Sequence, residues 1–216
     1  MNGSLTKVAL TRTRPAVATA GRALSIAGCA LLLMASQQAL ATGDFVDPRS
    51  ITPPAATGEV PEPEDYRTDG YRMPVPKTLK GAVVIDADRA EGLLKEQGAV
   101  FIDVYPRAPK PANLPAGTVW RDPAHATIAG TNWMPNVGYG VLSPDFENYF
   151  RTRLEALTGN DKSKPIVFFC LKDCWMSWNA AKRAISWGYS SVMWFPEGTD
   201  GWQLIGNDLV PATPLP

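Results

Sequence analysis

The sequence predicts a single α/β domain with a mostly parallel sheet covered by helices, and three observations carry that expectation. Short apolar runs alternate with segments of helical spacing from residue 82 onward. The run Pro165 to Phe169 is apolar after its proline, as in a strand buried on both faces of a parallel sheet. At 216 residues and 45% hydrophobic content the chain buries one good core, and two full domains would be cramped once a targeting segment is removed.

Residues 1–41 contain Lys7, Arg12, Arg14 and Arg22 but no acidic residue. The apolar stretch Ala23 to Ala35 and the small-residue site Ala39-Leu40-Ala41 follow, the pattern of an export signal cleaved after Ala41. That apolar core is shorter than the roughly 20 residues needed to cross a bilayer, so no stable span is expected in the mature form. Ile26-Ala27-Gly28-Cys29 is similar to a lipoprotein processing site, which would lipidate Cys29. In such a signal the apolar run precedes the cysteine, whereas Ala30-Leu31-Leu32-Leu33-Met34 follows it. A periplasmic protein with two remaining cysteines is the expectation, in an oxidising compartment where a disulfide persists. The whole chain has 21 basic and 21 acidic residues, so no basic field exists to hold nucleic acid.

Residues 42–78 form a Pro-rich linker or arm, with Pro53-Pro54 and Pro61-Glu62-Pro63-Glu64-Asp65 and little apolar periodicity. Tyr66, Tyr71 and Met73 are candidates to anchor its end, and a partly disordered spacer is the other reading. The domain is expected over 79–210. Ala82 to Ile85 reads as a strand, Asp88 to Gln97 as a helix and Ala99 to Val104 as a second strand, which makes a βαβ unit. A Pro-rich loop runs from Tyr105 to Arg121, and Thr131 to Pro135 reads as a short strand. Ser143-Pro144 starts a helix over Asp145 to Leu157. After the central strand, Ser177 to Trp187 reads as a helix ended by Gly188, and Ser191 to Phe195 as the last strand.

Cys170 follows the buried strand directly and precedes a helix by a few residues. The carboxyl end of such a strand faces the ligand crevice, where helix N–H groups lower a thiol's pKa. In the loop Leu171-Lys172-Asp173-Cys174-Trp175, Lys172 assists that shift and Asp173 opposes it. Trp175 is the tryptophan read as functional, while Trp178, Trp187 and Trp194 read as core. Asp103 ends a strand beside the crevice and reads as orienting the loop or as a turn cap. Arg107, Lys110 and Arg121 read either as bordering the crevice and supplying part of its positive charge or as scattered solvated cations, and His125 reads as a surface histidine.

Val167-Phe168-Phe169-Cys170, the loop, Asn179-Ala180-Ala181-Lys182-Arg183-Ala184 and Trp187-Gly188-Tyr189 follow one another as strand, loop, helix and glycine turn. Phe101-Ile102-Asp103-Val104, Ile128-Ala129-Gly130-Thr131 and Glu197-Gly198-Thr199-Asp200-Gly201-Trp202 fall in order around them. This ordered set, over roughly residues 79 to 205, resembles the rhodanese family. Within it, residues 170–179 and 109–121 resemble the PQQ-dependent catabolism-associated CXXCW motif proteins, with three residues between the cysteines here instead of two. The resemblance implies a rhodanese-like fold and an association with periplasmic alcohol oxidation by quinoprotein dehydrogenases, with partners among the proteins of that pathway. Sulfurtransferases of the family cradle thiosulfate with a loop rich in Gly and Arg. This loop has no Gly, one cation and one anion, so ordinary thiosulfate sulfurtransferase activity is not expected.

Three readings of the cysteine pair stand side by side. Cys170 is the nucleophile and Cys174 the resolving thiol, in thiol–disulfide redox or persulfide transfer. Alternatively the pair forms a structural disulfide in a non-catalytic binding module, although so short a ring gains little loop entropy. In the third, the cysteines bind a redox cofactor, or join Met176 and His125 as ligands for Cu(I).

Overall fold

The central run forms β5 (Ile166–Phe169), whose four residues are all buried, as a strand flanked on both sides must be. In the computed structural model, which describes residues 59–216, β5 lies mid-sheet. The other strands of this sheet are β1 (Ala82–Val84), β2 (Val100–Asp103), β4 (Asn132–Trp133) and β6 (Val192–Phe195), in the order β1-β6-β5-β2-β4 and all parallel. The predicted α/β class is the observed one. The expected export signal at 1–41 and the first part of the arm lie outside the described residues.

Alternation along the strands splits the core between the two faces of the sheet. Ile102, Ile166, Phe168 and Trp194 join one cluster, packed with α2 (Pro144–Thr158) through Phe150 and Leu154 and with α3 (Trp175–Ser186) through Trp178, Ala181 and Ala184. Phe101, Val167, Phe169 and Phe195 join the other, packed with α1 (Ala87–Lys95) through Ala90 and Leu93 and with α4 (Gly198–Leu204) through Trp202. Local chemistry sets the helix ends. The Asp86 carboxylate accepts from Arg89 N at the start of α1, Ser143 Oγ accepts from Phe146 N at the start of α2, and Gly159 closes α2 with φ 64°.

Three elements were not expected from sequence. α4 is short, and β3 (Ala126–Thr127) and β7 (Val210–Pro211) form a two-residue antiparallel pair, too brief for periodicity to register. α3 also begins at Trp175, two residues ahead of the expected start, because Cys174 is its N-cap. Trp178 and Trp194 are fully buried in the core, as expected, and Trp187 packs against it.

Residues 59–78 contain no helix or strand and run along α3, which supplies hydrogen bonds that an extended chain cannot make to itself. Asn179, fully buried, accepts from Arg67 N at 2.9 Å and donates to Arg67 O at 2.8 Å and Gly138 O at 3.0 Å. Trp178 Nε1 donates to Thr78 O, and Lys182 Nζ to Pro63 O. Tyr71, Met73 and Val75 pack against the core beside α3. Arg183 secures the loop before α2, donating to the carbonyls of Val137, Tyr139 and Gly140. Asn179→Ala removes three hydrogen bonds and strands buried backbone groups on two segments. It is expected to lower stability by about 2–4 kcal/mol in urea denaturation and to open the arm near Arg67 to limited proteolysis.

Candidate functional site

The chain leaves β5 at Cys170 and enters α3 at Trp175, so Leu171, Lys172 and Asp173 must reverse its direction. Asp173 makes the reversal with φ 53°, in the left-handed region that a short polar side chain tolerates. The curl brings the Cys170 and Cys174 α-carbons to 6.2 Å, and the two residues form a disulfide. Both are nearly inaccessible, at 1% and 2% exposure.

The loop's polar groups are held on several sides. Thr199 N donates to Cys170 O at 2.9 Å, and Lys172 N donates to Asp200 Oδ2 at 2.7 Å. Arg72 Nη1 donates to Lys172 O. Gly198 is required here, since a Cβ would stand 2.2 Å from Cys170 O and φ is 53°. Ser177 Oγ donates to Cys174 O and accepts from Trp194 Nε1, tying the first turn of α3 to β6.

A cavity of about 150 Å³ lies at the disulfide, lined by Cys170, Cys174 and Met176, by Tyr71, Tyr105 and Tyr139, and by Arg72 and Pro106. Burial pushes the Arg72 guanidinium below its ordinary value, opposed by Asp200 and Asp173. Burial, then the neighbouring Tyr71, pushes the Tyr139 phenol up, so it stays neutral.

The structure places the residues singled out from sequence as follows. Leu171 is buried in the core and Lys172 exposed. Trp175 lies on the first turn of α3 rather than in the loop, 3% exposed, with its Nε1 donating to Pro74 O and its backbone N to Tyr71 O. It clasps the arm. Asp103 is fully buried and caps the turn after β2, accepting from Tyr105 N at 2.8 Å, not from the cysteine loop. Its other oxygen accepts from Thr127 Oγ1 at 2.6 Å and meets His125 Nε2 at 2.7 Å. His125 is therefore a buried residue and not the surface histidine expected from its Pro-rich surroundings. The pairing of β3 with β7, with Ala212 N donating to His125 O, draws it inward to stack on Tyr105 at 4.5 Å between ring centroids.

None of Arg107, Lys110 and Arg121 lines the cavity at the disulfide. Arg107 pairs with Asp122 and, with Lys110, lines a neighbouring cleft of about 550 Å³, while Arg121 is exposed. The cation at the disulfide is Arg72, which sequence reasoning missed because it lies in the arm, 98 positions before Cys170. Met176 shares the cavity with the cysteines, whereas His125 does not line it and meets Asp103 instead. Among the described residues no three His, Cys, Asp or Glu side chains gather as a metal site.

The fold and site define an α/β protein with a disulfide at the carboxyl end of its central strand. No family model matches the chain, and no curated protein matches it. Among solved structures it is similar to the polysulfide-sulfur transferase homodimer from Wolinella succinogenes, at 20% identity over 60% of this chain and 79% of that one, with a TM-score of 0.38. It is also similar to an uncharacterized protein from Saccharomyces cerevisiae, at 19% identity over 58% of this chain and 93% of that one, with a TM-score of 0.34. No described helix is long and apolar enough to cross a membrane.

The left-handed Asp173 gives the loop a testable weak point. Asp173→Gly should keep the disulfide and the stability of the parent. Asp173→Val, with a branched side chain in the left-handed region, should cost about 1–2 kcal/mol and slow reoxidation of the reduced pair, read by thiol titration over time.

Proposed function

We propose that this chain is an exported rhodanese-like protein that uses Cys170 and Cys174 for thiol–disulfide exchange, and for persulfide transfer through the same pair. The observation that carries the reading is the disulfide itself, which joins the end of the central strand to the N-cap of α3 beside a cavity. In exchange, an external thiolate attacks one sulfur of the bridge, forms a mixed disulfide and releases the other cysteine as a thiolate. A second external thiolate then attacks the mixed disulfide, so two thiols are oxidised to one disulfide and the protein holds a dithiol. In sulfur transfer, the Cys170 thiolate takes the outer sulfur of a persulfide donor and releases the donor's thiolate. Cys174 then attacks the Cys170 sulfur, closing the bridge and releasing hydrosulfide.

The likeness of residues 170–179 and 109–121 to the CXXCW motif proteins supports a place beside quinoprotein dehydrogenases in periplasmic alcohol oxidation, with those proteins as partners. The burial of both cysteines favours a second reading, in which the bridge is a structural clasp and the protein a binding module.

Intact-mass analysis separates the two. Cys174→Ser should accumulate a mixed disulfide with a small thiol disulfide, or a persulfide with a persulfide donor, on Cys170. Cys170→Ser should abolish adduct formation. A wild-type bridge that resists dithiothreitol in the folded protein establishes the clasp. N-terminal sequencing of the exported protein should begin at Thr42, and a lipidated Cys29 at the start would overturn the assigned cleavage.

A further inference from the structure

Arg72 reaches the cavity from the arm, outside the framework of strands and helices that carries the two cysteines. Its Nη1 donates to the Lys172 carbonyl in the loop, while its Nε is buried with no hydrogen-bond partner. A buried guanidinium N–H without an acceptor is costly, and the neutral sulfurs of a disulfide are weak acceptors. Opening the bridge converts one of those sulfurs into a thiolate, a charged acceptor in the same small cavity. Charge-assisted hydrogen bonds to such an ion are the strong ones.

We propose that Arg72 is the cation that stabilises the thiolate released when the Cys170–Cys174 bridge opens, and that it thereby raises the reduction potential of the pair. The inference rests on the thiol–disulfide reading and adds a residue to it. The electrons come from an external thiol, whose thiolate bonds to one sulfur while the other sulfur leaves with the electron pair of the broken bond. The departing sulfur becomes the anion that Arg72 meets. The other titratable groups lining the cavity are Tyr71, Tyr105 and Tyr139, while Asp200 and Asp173 act on the guanidinium and temper its field. Arg72 stays charged across the range in which thiols titrate, so its effect falls on the thiol, whose pKa it lowers.

The test uses the full chain and two variants, Arg72→Gln and Arg72→Lys, in two measurements. Thiolate absorbance of the reduced protein is followed against pH, and the dithiol–disulfide equilibrium is measured against reduced and oxidised dithiothreitol. Arg72→Gln should raise the lower thiol pKa by about one unit and shift the equilibrium about tenfold toward the disulfide, roughly 30 mV. Arg72→Lys, which keeps the charge and loses the planar fork, should retain most of the wild-type behaviour in both. If Arg72→Gln matches wild type while the bridge opens normally, the role of Arg72 is overturned and the exchange reading stands. If Arg72→Lys shifts as far as Arg72→Gln, the residue acts on loop shape and not through charge, which overturns the proposal as well. A wild-type bridge that dithiothreitol does not open removes the exchange reading and this inference together.

Discussion

The chain reverses direction between a fully buried strand and a fully packed helix with only Cys170 to Cys174 to do so, and much of the site depends on that constraint. Both ends are held. β5 is hydrogen-bonded to strands on both sides, and the inner face of α3 is buried through Trp178, Ala180, Ala181 and Ala184. The loop must therefore curl, and a left-handed residue lets it do so within three positions. A disulfide across the curl uses a proximity that the framework imposes.

A curled loop exposes backbone groups, and their partners come from distant parts of the chain. α4 follows β6 closely enough to present Thr199 N and Asp200 to the loop, and Gly198 lets the two backbones approach. From the other direction the arm brings Arg72 and Tyr71. Three segments widely separated in sequence converge on one pair of cysteines. The arm is thereby part of the site, held to α3 by Asn179, Trp175 and Trp178.

Asp103 organises the next strand end in the same economical way. One carboxylate caps the turn to Tyr105 and also meets Thr127 and His125. Tyr105, stacked on His125, forms part of the cavity wall beside the disulfide. This buried network meets the site at Tyr105, whose ring packs on His125 and borders the cavity.

Periodicity and composition determined the α/β class, the central strand, the order of the main helices and the position of Cys170 at a strand end. Those features are local, and apolar runs and caps such as Asp86 and Ser143 state them directly. The cysteine pair was legible too, because four positions of separation limit where the partner can be. Tertiary structure alone decided the burial of His125, the turning of Arg107 to Asp122, the clasping role of Trp175 and the arrival of Arg72. Each depends on a contact between segments far apart in sequence, and the energy of such a contact is set by what lies opposite in space. No pattern along the chain encodes it.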